Sequence, residues 1–131
     1  MGRTIAAIAA AWAWVGFSEF LRNQLLFANL WVDHYRSLGL EFPNAPLNAA
    51  LWMLWALIFV GVVWVISRRF ALWQTIALAW VIGFVLMWLV IGNLGVLPGA
   101  LLWFAVPLSM LEAAGAALLV ARVDPPRRAE V

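Results

Sequence analysis

Few side chains in this sequence can do chemistry, and those that can stand in unexpected places. Glu112 sits alone near the middle of the apolar run PGALLWFAVPLSMLEAAGAALLVAR, from Pro98 to Arg122. Glu19, Arg22 and Asn23 interrupt a second apolar run at spacings i, i+3 and i+4, which puts them on one helix face, where Glu19 and Arg22 can pair. Placing a charged side chain in hydrocarbon costs about 2.5 to 3.5 kcal/mol on insertion scales, so these groups are expected to face protein or water. Glu112 has no basic neighbour within a turn of its own run. It must carry a proton, or find Arg22 or another polar partner across the molecule. A carboxyl buried in this way is a candidate for binding and releasing protons.

The elements that position these groups are long apolar segments. The chain has 131 residues, 67% of them hydrophobic and only 11% charged. Soluble domains carry about 25% charged residues, so the expectation is an all-α membrane protein. A bilayer crossing takes about 20 apolar residues. Four fit: spans of about 4–30, 47–67, 71–92 and 99–122, with a polar tail at 123–131, forming one integral membrane domain over 1–131. The first run is read as a retained span rather than a secretion signal, because Trp12 and Trp14 lie inside it. Pro43 and Pro46 close the loop before the second span, and Asn93, Gly95 and Pro98 make the turn before the fourth. The connection at Arg68–Arg69 is too short for anything but an antiparallel pair.

All eight basic residues are arginine. With the N-terminus inside, Arg3, Arg68, Arg69, Arg122, Arg127 and Arg128 are cytoplasmic, and Arg36 alone lies in an outer loop. The positive-inside rule therefore predicts a four-helix bundle with both termini cytoplasmic (N-in, C-in), and the Arg- and Ala-rich composition suits a bacterial inner membrane. The net charge of +2 is explained by these flanks, so no nucleic-acid partner is expected.

In that orientation the polar side chains gather in the outer half. The predicted ligand- or proton-binding set is Glu112, Glu19, Arg22, Asn23, Asn48 and Asn93, with Asp33 and His34 as outer-surface candidates. Asp33 and His34 are adjacent, so on a helix they point about 100 degrees apart and do not make a metal site by themselves. Without cysteine, and with a single histidine and no nucleotide loop, neither a metal nor a cofactor is expected, and no catalytic residue is assigned. Trp31, Trp52, Trp64, Trp73 and Trp103 suit interfacial belts. Trp14, Trp55, Trp80 and Trp88 lie deeper, where rings pack against neighbours or line a site for a flat or cationic ligand.

Small residues recur every fourth position at Ser109, Ala113, Ala117 and Ala121, and at Thr75, Ala79 and Gly83. Such seams let helices approach closely, and a homodimer or a larger membrane partner is expected to use them. The leading functional expectation is a small transporter or permeation protein built around Glu112. The alternatives are a non-catalytic accessory or lipid-binding subunit, and, ranked last, an enzyme acting on lipid headgroups with Glu19 and Asp33 as acid and base.

Overall fold

The computed structural model describes residues 1–125. They form five helices: α1 (Gly2–Leu26), α2 (Ala28–Ser37), α3 (Pro46–Ser67), α4 (Leu72–Asn93) and α5 (Gly99–Val123), with no strand among the described residues. All but α2 are long and apolar enough to cross a membrane. Arg127 and Arg128, which the charge argument used, lie outside the described residues.

Small residues determine how these helices pack. On α1 the buried stripe is Ala7, Ala11 and Val15, four residues apart, and it continues into Glu19 and then Arg22. On α5 it is Ala105, Ser109, Glu112, Ala113, Ala116, Ala117 and Val120. The alanines bring the two backbones close, and α3 and α4 fill the other side with Ala56, Phe59, Val60, Val63, Ala79 and Phe84. Phe59 stands 5.6 Å from Phe84, centroid to centroid, where Gly83 leaves it space. The outward faces carry Leu, Ile, Val, Phe and Trp, among them Trp103, Leu89 and Leu111.

The two small-residue seams are used inside one chain. Thr75, Ala79, Gly83, Ser109, Ala113 and Ala117 are all buried there, so a second copy would have to pair through other faces. Trp80 seals the α4–α5 contact by donating its indole N–H to Ser109 Oγ at 2.9 Å.

The first span is shorter than the sequence suggests. Its hydrophobic pattern runs on to residue 30, but the helix widens to a π-helical turn over Leu21–Leu26 and breaks at Phe27 (φ −125°, ψ 20°). The chain restarts as α2, pinned by Phe27 stacked on Phe104 at 4.9 Å and by the His34 ring against the Gly95 carbonyl at 3.0 Å. Gly95 has φ of 75°, a left-handed turn position that favours glycine. A second π-helical turn spans Val81–Val85 in α4.

The end of the bundle where α1 begins and α5 ends is closed by a polar clasp. Asp124 Oδ2 accepts from Thr4 Oγ1 at 2.8 Å and from Trp64 Nε1 at 2.9 Å, with Arg68 Nη1 at 3.7 Å. Arg3 adds a bond to the Val123 carbonyl at 3.1 Å. The polar tail expected from residue 123 thus begins one residue later, and its first residue is part of the packed structure.

Candidate functional site

The sequence-predicted acids and arginine meet in one buried cluster. Arg22 lies between Glu19 and Glu112: one guanidinium nitrogen bonds Glu19 Oε1 and the other bonds Glu112 Oε2 at 3.0 Å. Asn23 Nδ2 donates to the second Glu19 oxygen at 2.7 Å, and Trp31 Nε1 donates to Asn23 Oδ1 at 3.0 Å. Glu19, Arg22 and Glu112 are 8%, 5% and 1% exposed. Removing such charges from water costs several kcal/mol each, which only close pairing and full hydrogen bonding offset.

The local structure explains how a single arginine serves two acids. Glu19 and Arg22 are three residues apart on the buried stripe of α1, so their pairing is local. Arg22 lies in the wide turn Leu21–Leu26, directly after the regular helix. Across the bundle, the other wide turn supplies Phe84, whose ring centroid is 5.4 Å from the guanidinium carbon. π-helical turns are rare and often mark functional positions. Here one supplies the cation and the other the ring that packs against it.

Glu112 is held differently. Trp14 Nε1 donates to its backbone carbonyl at 2.9 Å, across the α1–α5 contact. Gly115 gives that indole its space, since a Cβ there would overlap the ring. Pro107, inside α5, has no N–H, so the carbonyl of Trp103 has no helical donor. Of the two Glu112 carboxyl oxygens, Oε2 meets Arg22, while Oε1 is buried with no hydrogen-bond partner. With both acids ionised the cluster carries one net negative charge; with one proton held between them it is neutral. Oε1 is the atom that can take that proton, or a donor from a solute, without breaking an existing bond.

Two cavities flank the cluster. One, of about 140 Å³, lies between Glu19, Arg22 and Asn23 below and α2 with its following loop above. The other, of about 150 Å³, lies between α1 and α5 and is lined by Arg22, Glu112, Trp14, Phe17 and Leu111. Arg22 borders both.

Four of the six predicted binding residues therefore converge: Glu112, Glu19, Arg22 and Asn23. Asn48 and Asn93 do not. Asn93 is nine residues beyond Phe84, about 13 Å along α4, and Asn48 is eleven before Phe59, about 16 Å along α3. Both lie near helix ends, at a different level from the ions. Asp33 pairs with Arg36 at 3.3 Å on the surface, and His34 docks α2 on the α4–α5 turn. No group of three metal-ligating side chains forms among the described residues. Trp14, Trp31 and Phe84 complete the site; the sequence marks Trp14 as a deep ring able to line a site and Trp31 as interfacial, and does not mark Phe84. The signal for Trp14 was Gly115, a glycine placed one turn after the lone acid in mid-helix.

Comparison of the chain with protein-family models, with curated proteins and with solved structures gives no match.

Proposed function

We propose that this is a multi-pass protein of a bacterial inner membrane, both termini cytoplasmic, that acts as a small transporter or permeation protein. Glu112 is the group that exchanges a proton with a solute. The observation that carries this reading is the buried, unpartnered Oε1 of Glu112 beside a guanidinium already shared with Glu19. A purely structural ion cluster gains by pairing every buried oxygen, and leaving one unpaired costs about 1 to 3 kcal/mol or more. The outward-facing apolar side chains support insertion, since lipid would cover them. The two cavities hold only about 140 and 150 Å³, little room for a solute path within one copy, which favours a homo-oligomer.

The test is proton movement in proteoliposomes that hold a pH-sensitive dye, exposed in turn to gradients of cationic, anionic and neutral solutes. At least one class is expected to drive proton flux in the wild type, and Glu112→Gln is expected to stop it. No flux in the wild type, or full flux in the variant, removes the reading.

A second reading, a non-catalytic membrane subunit, is favoured by one observation: Arg22 ties α1 to α5, as an assembly staple would. It predicts that Glu112→Gln behaves as the wild type in every assay.

A further inference from the structure

The cavity above the ion cluster has a composition of its own. Five aromatic side chains line it: Trp31 and Tyr35 from α2, Phe42 from the following loop, Trp52 from α3 and Trp88 from α4. Tyr35 and Phe42 meet edge to face at 5.3 Å, and Trp31 lies 6.0 Å from Phe42. On the other wall Trp88 is 6.0 Å from Phe84, the ring that faces Arg22. Ring faces carry partial negative charge and attract cations, most strongly where water is excluded. The floor is Glu19, with Arg22 and Asn23.

We infer that this cavity is an aromatic cage for a small organic cation of the quaternary-ammonium or guanidinium type. The inference rests on the transport reading, and names the class of solute that reading leaves open. Charge is the first argument. Among the described residues the only charged side chains lining the cavity are Glu19 and Arg22, and Glu112 stands directly behind Arg22, so the ionised cluster sums to one negative charge. An anion finds no free cation there, because Arg22 is divided between two carboxylates and packed on Phe84. Size is the second. About 140 Å³ is close to the roughly 150 Å³ of an apolar cavity known to hold benzene, so a compact ion fits and a lipid does not. Access is the third. The roof is α2, a ten-residue helix with no buried residue, joined through the break at Phe27 and held at its far end by His34 on Gly95. It is the segment of the bundle with the least packing to lose when the cage opens.

The experiment uses the purified full-length protein in a neutral detergent, titrated with tetramethylammonium chloride. Intrinsic tryptophan fluorescence and calorimetry are the readouts. Sodium chloride and tert-butanol serve as ionic and neutral controls. A saturable response to tetramethylammonium alone is expected, weakened about tenfold or more by Trp88→Leu, by Trp31→Leu and by Glu19→Gln, in line with the loss of one desolvated cation–π or charge contact. If Trp88→Leu fails to fold, Trp31→Leu, at the half-buried rim, decides. The inference is overturned by no saturable response, by an equal response to tert-butanol, or by unchanged affinity in a folded Trp31→Leu. Tetramethylammonium binding without proton flux in liposomes keeps the cage and removes the transport reading. Flux without binding removes the cage and keeps the transport reading.

Discussion

Helix α5 holds Glu112, and Asp124 follows its last residue, twelve positions on; each acid meets an arginine from elsewhere in the chain and a tryptophan N–H. The partners are alike, yet the settings are opposite. At Asp124 one carboxyl oxygen collects Thr4, Trp64 and Arg68, and the side chain is 18% exposed, so water can serve what remains. At Glu112 the tryptophan bonds the backbone instead, a second acid competes for the arginine, and one oxygen is left bare at 1% exposure. The Asp124 clasp is what a structural polar contact looks like when it is complete. The Glu112 cluster is incomplete by one donor, in the place where incompleteness is most costly. That contrast separates a latch from a site.

The sharpest way to break the contrast is to remove each arginine. Arg22→Leu leaves two buried carboxyls without a counterion, and a loss of about 3 to 5 kcal/mol is expected from breaking a buried pair. Thermal or denaturant unfolding in detergent measures it. Arg68→Leu, at the clasp, is expected to lower stability far less, because the Asp124 carboxyl keeps Thr4 and Trp64 and reaches water. Equal losses would mean that the two acids do the same job.

Next in size is Gly115→Ala. The new methyl would overlap the Trp14 indole and displace the N–H that holds the Glu112 carbonyl. Overpacking of this kind costs about 1 to 3 kcal/mol, and proton flux should fall with it. Gly61→Ala, on α3, has nothing within 4 Å of its Cβ and is expected to be neutral or to stabilise slightly.

Glu112→Gln sharpens the contrast from the other side. It keeps the shape, removes the surplus negative charge and leaves Arg22 paired with Glu19. Stability is expected to change by less than about 1 kcal/mol, in keeping with the near-neutral replacement of buried ions by uncharged groups, while proton flux is lost. A variant that matches the wild type in both stability and flux would make the cluster a staple.

Much of this was legible beforehand. The spacing of Glu19, Arg22 and Asn23 places them on one face, and the absence of a basic neighbour for Glu112 leaves a proton, Arg22 or another polar partner across the bundle; Arg22 is there. The four long apolar helices followed from composition and length. The break at Phe27 did not, because the hydrophobic run continues through it and a π-helical turn carries no residue signature of its own. Asn48 and Asn93 were grouped with the ions by polarity, although their positions at helix ends put them several turns away. The small-residue seams, expected at a partner copy, are filled within the chain by α1, α3, α4 and α5, since sequence shows which faces are thin and not what fills them. Asp124 falls in the segment expected to be a polar tail. Its partners Thr4 and Trp64 are distant in sequence, and no local pattern reveals them.

The smallest expected effect concerns that clasp and depends on pH. Hydrogen bonds from Trp64 and Thr4, with Arg68 and Arg3 nearby, hold the Asp124 carboxyl below the usual aspartate range. Its value in the folded chain is thus lower than in the unfolded chain, so its contribution to stability is fully present above the ordinary aspartate value. As pH falls through that value towards the folded one, the unfolded state takes up the proton first and the contribution is lost. Unfolding midpoints of wild type and Asp124→Asn, measured in detergent from neutral to strongly acidic pH, should differ most at neutral pH and converge in acid. A constant gap across the whole range would show that the Thr4 and Trp64 bonds act on shape alone, and that the clasp owes nothing to its charge.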